Sequence, residues 1–151
     1  MNGIDQGFVA NSAERLRALP PDRKPKWGKL TAPELVPHLI GAFKSSMGEL
    51  PPTKFIGNWF TTTVLPPIVY TGWLMPPKNI KLLNEKGEAI PALSVPGSIE
   101  DLAAVMEEFI RGRDSGTLKT TAHPLFGDVG PEGWGKVHVV HMRHHFKQFG
   151  I

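Results

Sequence analysis

The sequence predicts an all-α protein, a four-helix bundle whose helices are joined by long connections rich in proline and glycine. Three observations carry this. Four stretches place apolar residues at helical spacing behind side chains able to cap a helix. The 15 prolines and 16 glycines put much of the 151-residue chain outside regular elements. The last stretch turns a row of histidines toward the side where a core belongs. A chain of this length holds one core, so residues 1–151 read as a single domain.

The first helix is expected over residues 11–19, capped by Asn11 or Ser12 and stopped by Pro20 and Pro21. A basic loop follows at 22–29, carrying Arg23, Lys24, Lys26, Lys29 and Trp27, and it reads as a solvated connection. The second helix opens on Thr31-Ala32-Pro33-Glu34, a capping box with proline in the first turn. Leu35, His38, Leu39, Ala42, Phe43 and Ser46 continue it at helical spacing toward a stop at Gly48, with Pro37 expected to kink it.

Residues 55–77 carry no charge and lie between Lys54 and Lys78, which by length alone would permit a membrane span. Pro66-Pro67, four threonines, an asparagine and two glycines weaken both a helix and its transfer into lipid. The segment is therefore expected to be a buried or interfacial part of a soluble chain. Trp59, Phe60, Tyr70 and Trp73 suit it as a lid or as the contact face of a homodimer. Residues 80–90 allow a small hairpin about Lys86-Gly87 or an irregular path. The third helix is expected from the Ser98 cap, with Leu102, Val105, Met106, Phe109 and Ile110 as a core stripe ending before Gly112.

The fourth helix begins near Pro131 and runs almost to residue 151. At about 100° per residue, Trp134, Val137, His138, His141, His144, His145 and Gln148 share one face, and Lys136, Arg143 and Lys147 the other. Buried imidazoles need partners, and a metal ion satisfies several at once. His141 and His145, four apart, can share an ion, and His38 on the second helix offers a third nitrogen. The competing reading, hydrogen-bonded core histidines, is preferred for His38 alone and about even for the pair. His138 and His144 at the edges of the face, with Gln148, stand as supporting or surface groups, and His123 before Pro124 as a turn residue. The complete absence of cysteine leaves imidazole, carboxylate and carbonyl ligands only.

The segment His141-Met142-Arg143-His144-His145-Phe146-Lys147-Gln148 resembles the last-helix motif of the DinB-like family. A nearer likeness, to an uncharacterised branch of that superfamily, lies in Lys26-Trp27-Gly28-Lys29-Leu30-Thr31-Ala32, His38-Leu39, His123-Pro124-Leu125-Phe126-Gly127 and Trp134-Gly135. The resemblance implies a DinB-like four-helix bundle with His38, His141 and His145 as metal ligands. Phe146-Lys147 departs from the Arg-Gly common in that family, which bears on packing rather than ligation.

Three imidazoles suit zinc, nickel, iron or manganese. Relatives in the wider superfamily imply thiol S-transfer, isomerisation or hydrolysis of a small-molecule substrate, with Glu34 the best placed candidate base. Glu34 is also the capping-box acid, and Glu132 points away from the histidine face. The rival is a metal-stabilised binding or dimerisation module without turnover. The net charge of +3 without a massed basic arm gives nucleic-acid binding little support. The absence of a basic-then-apolar start predicts no secretory leader and a cytoplasmic location.

Overall fold

Asp5 opens the first helix: its carboxylate accepts the Phe8 N–H at 2.7 Å, and α1 then runs Gln6–Arg17 in the computed structural model, which describes residues 3–72 and 82–151. The start thus lies earlier than the expected Asn11 or Ser12 cap. Asn11 instead accepts from Arg15 on the surface, and Ser12 is buried with Val9, Ala13 and Leu16 on the inner face. The helix stops at the Ala18 cap, two residues short of Pro20.

The second helix, α2 (Ala32–Ser46), begins where the capping box places it, with the Glu34 carboxylate accepting the Thr31 N–H at 2.9 Å. It continues unbroken through Pro37. Leu35, Leu39, Ile40 and Phe43 are buried along it.

The uncharged segment divides in two. A π-helical turn, Phe60–Val64, runs without a break into α3 (Leu65–Tyr70); the Leu65 N–H reaches back to the Phe60 carbonyl, and Pro66 and Pro67 follow with no N–H to give to the turn before them. Leu65, Pro66 and Val69 are buried, whereas Phe55, Ile56, Phe60 and above all Trp59, 73% exposed, face outward. Trp73 lies outside the described residues. The segment packs beside Gly133 and Lys136, and Thr71 shares an open cavity with Val139 and Arg143 on the side of the last helix opposite His141 and His145. The described part of the segment, up to residue 72, is therefore not a lid over the histidines. Among the described residues, no helix is long and apolar enough to cross a membrane.

The expected hairpin is a single antiparallel bridge, Leu83 to Ala89, closed by Gly87 at φ 82° and by the Asn84 side chain, which accepts from Lys86 and Glu88 N–H. Residues 80 and 81 of that expectation lie outside the described region. No strand forms among the described residues, so the chain is all-α there.

Ser98 and Asp101 box the start of α4 (Ile99–Ser115). It passes the expected stop at Gly112 and ends at Gly116, whose φ of 72° is left-handed. Gly112 is required for packing instead: the chain folds back so that Thr117 and Leu118 donate to its carbonyl, and a Cβ there would stand 2.9 Å from Leu118.

The last helix, α5 (Gly130–Phe149), starts with Pro131 in its first turn and is closed by left-handed Gly150. It is buried on more than the one face expected. Val139, Val140, Met142, Phe146 and Phe149 are buried as well as the histidine side, leaving Glu132, Arg143 and Lys147 exposed. The packing explains this: α5 meets both α2 and α3, while α4 packs on α1 and α2.

Candidate metal centre

His38 is aimed by a segment that the sequence did not mark. Residues 93–95 run along α2, with the Val95 N–H donating to the Pro37 carbonyl and His38 Nδ1–H to the Leu93 carbonyl, each at 3.0 Å. Gly41 makes this approach possible, since a Cβ there would come within 2.8 Å of Ser94 N. Gly41 therefore admits a non-helical segment directly against α2.

On α5, the one-turn spacing of His141 and His145 brings their Nε2 atoms to 3.0 Å, and His38 Nε2 lies 3.1 Å from His141 Nε2. His145 Nδ1–H donates to Gln148 Oε1 at 2.7 Å, and Gln148 Nε2–H donates to the Trp27 carbonyl at 2.9 Å. The Trp27 carbonyl can only accept, so it fixes which way the amide faces; the amide oxygen then fixes the His145 proton on Nδ1.

Consequently His38 and His145 both present an Nε2 lone pair toward His141. One N–H on His141 Nε2 can point along only one of the two directions, so at least one of the two lone pairs is left at hydrogen-bond distance with no proton to accept. A cation at the centre removes this conflict. Ligation at 2.0–2.1 Å with angles from right to tetrahedral sets nitrogen separations of about 3 Å, which the two short contacts match. The three ligand atoms lie within 4.8 Å of one another, and the residues present therefore could hold a metal ion.

Protonation agrees with ligation. Burial lowers all three imidazoles below their ordinary 6.5, His145 to about 4 and His141 well below, with neighbouring imidazoles adding to the effect at His141 and His145. The bonds to Leu93 and Gln148 pull the other way for His38 and His145 without restoring the ordinary value. Neutral rings at neutral pH are the form a metal needs.

The other expected site residues are placed as follows. His138, 1% exposed, bonds Ser46 Oγ at 2.9 Å rather than a ligand ring and stacks on Phe43 at 3.8 Å. His144 is partly buried with its ring 5.1 Å from that of His145 and 5.6 Å from Trp27. Gln148 supports His145 directly. Glu34 is exposed and its carboxylate holds the Thr31 N–H, the capping role. Glu132 is exposed, 3.9 Å from Arg113. His123 is a turn residue as expected, its Nδ1 accepting from Leu125 and Phe126 N–H at 3.0 Å. The sequence reading missed Leu93 and Trp27, because both act through backbone carbonyls that no side-chain identity betrays. The 22–29 loop, expected as a solvated connection, is docked on the end of α5: Lys26 N–H donates to the Gln148 carbonyl and Arg23 to that of Phe149.

Fold and site define a helical protein with three converging imidazoles able to hold a metal. The chain belongs to the family described as "Protein of unknown function (DUF1569)", which it matches over residues 12–150. No curated protein and no solved structure matches it. The expected uncharacterised branch is thus met by an uncharacterised family; the wider DinB-like relation enters below as a proposal.

Proposed function

We propose that this protein binds one divalent metal ion through His38, His141 and His145, and that the ion serves a reaction on a small molecule. The observation that carries this is the convergence of three Nε2 atoms, two of them with their Nδ1 protons already committed to carbonyl acceptors. Zinc, nickel, iron or manganese fits such a donor set, and a bound ion of this kind supplies Lewis acidity toward water or a thiol. The chain's own contribution is to hold three neutral nitrogens in place through Leu93, Gln148 and Trp27.

A DinB-like four-helix bundle, formed by α1, α2, α4 and α5, is the arrangement in which we place the site, and thiol S-transfer or hydrolysis the chemistry. Support for catalysis over a structural clip comes from the ligand count. Among the described residues no fourth His, Asp or Glu joins the cluster, and residues 73–81 contain none of these types. Two of the three rings are also only partly buried. No side chain is assigned as general base, since Glu34 is occupied at its cap.

The rival, a non-catalytic module, keeps one specific support: the ligands come from α2 and α5, which an ion would tie together. The exposed Phe55, Ile56, Trp59 and Phe60 suit a homodimer contact in either reading. Elemental analysis of untagged protein tests the proposal. Near-stoichiometric metal in wild type, lost in the His141→Ala, His145→Ala double variant, is expected; wild type that carries no metal and cannot be loaded overturns it.

A further inference from the structure

If His38, His141 and His145 hold a divalent ion as proposed above, charge decides what can fill its remaining positions. All three ligands are neutral. Metal-bound histidines commonly pass their second N–H to a carboxylate, which returns negative charge to the site. Here the Nδ1 protons of His38 and His145 go to the Leu93 backbone carbonyl and the Gln148 amide oxygen, both uncharged. No aspartate or glutamate joins the cluster among the described residues, and Glu34, one turn before His38, is turned to the Thr31 N–H.

The surroundings add positive charge. Residues 22–29 hold four cationic side chains and one acid, a net of +3 that equals the charge of the whole chain. This loop is fastened to the site, since the Trp27 carbonyl holds the Gln148 amide. Its field and the uncompensated ion act in the same direction.

The geometry points to an anion-selective open position: the site takes a small anionic ligand that donates an oxygen or sulfur lone pair to the metal, in preference to a neutral ligand of the same shape. Gln148 is then a selectivity-determining residue, because an amide where a carboxylate is common leaves the ion's charge exposed to the ligand.

The test uses the full chain loaded with cobalt(II), whose visible absorption reports ligand exchange, titrated with acetate and with acetamide, which differ in charge but hardly in shape. Wild type is expected to bind acetate at least about tenfold more tightly than acetamide, with the preference falling as a non-coordinating salt is added. Gln148→Glu, which keeps the acceptor for His145 but gives up the N–H held by the Trp27 carbonyl, is expected to weaken acetate by about tenfold more than it weakens acetamide. Should that variant not take up cobalt, Lys24→Glu with Lys29→Glu replaces it, with a severalfold loss for acetate alone expected. Equal affinities in wild type, or an acetate affinity untouched by the added negative charge, overturn the inference. Failure of wild type to bind cobalt is a different result, and removes the metal reading itself.

Discussion

Two groups of histidines are built on α5, and they differ in what their nitrogens face. Toward its N-terminal end, Phe43, His138, Trp134, His123 and Phe126 form a ladder of rings, with His138 stacked on Phe43 and tilted 26° to Trp134, and His123 stacked on Phe126. The hydrogen bonds of His138 Nε2 and His123 Nδ1 each pair a donor with an acceptor. Ser46 O–H donates to the Phe43 carbonyl, so its oxygen is left to accept His138 Nε2–H, and His123 Nδ1 takes two backbone N–H groups. One turn further on, three Nε2 atoms converge with too few protons among them. Burial is common to both groups, so burial does not distinguish a ligand from a core residue. Convergent lone pairs do.

The largest expected effect separates the groups by metal linkage. At an ion concentration about a thousand times the dissociation constant, binding to the native state adds about 4 kcal/mol of stability. Denaturation of wild type with and without added zinc is expected to show a shift of that order, and the His141→Ala, His145→Ala variant none. An equal shift in both would move the binding elsewhere.

His138→Ala should behave in the opposite way. It opens a void between Phe43, Phe109 and Trp134 and removes the partner of Ser46, at a cost of about 3 kcal/mol. Metal content is expected to stay stoichiometric in the folded fraction. If instead metal is lost while urea unfolding is unchanged, His138 belongs to the site and the contrast between the two groups collapses.

A smaller effect tests the amide relay. Gln148→Ala frees the His145 ring to rotate and removes one of the bonds that dock the Trp27 loop on α5, leaving those of Lys26 and Arg23, so metal affinity should fall about 10- to 100-fold while helical content is kept. A competition titration with a chromophoric chelator measures this, and an affinity unchanged from wild type would show that the ring is held by its packing alone.

Much of this was legible in the sequence, for a reason visible in particular residues. The four expected helices exist because Thr31 with Glu34 and Ser98 with Asp101 mark starts, and period-3.6 apolar stripes mark inner faces. His141 and His145 were legible because four-residue spacing on a helix is itself geometry. The limits of α1 and α4 were not, since Asp5 caps from beyond the apolar run and Gly112 serves packing while Gly116 ends the helix. The pairing of His138 with Ser46 needed the distance between α2 and α5, which neither helix encodes alone. The carbonyls of Leu93 and Trp27 left no trace because every residue carries one.

The smallest effect is one of slope, and it belongs to the aromatic ladder. Burial lowers the His123 pKa from an ordinary 6.5 to about 4, and the two N–H groups donated to Nδ1 require that nitrogen to be unprotonated. Above about pH 6.5 neither the folded nor the unfolded chain carries this proton, and His123 adds no pH dependence. As pH falls from about 6.5 toward 4, the unfolded chain gains a proton that the native state refuses, so stability drops by about 1.4 kcal/mol per pH unit. Below about 4 both states are protonated and the contribution levels off. His123→Asn keeps an acceptor for the two backbone N–H groups but cannot titrate, so its urea-unfolding free energy should fall less steeply across this window, by close to one proton. Equal slopes in variant and wild type would mean that His123 is protonated in place. The ladder would then be open to water, and the difference between the two histidine groups would be one of degree.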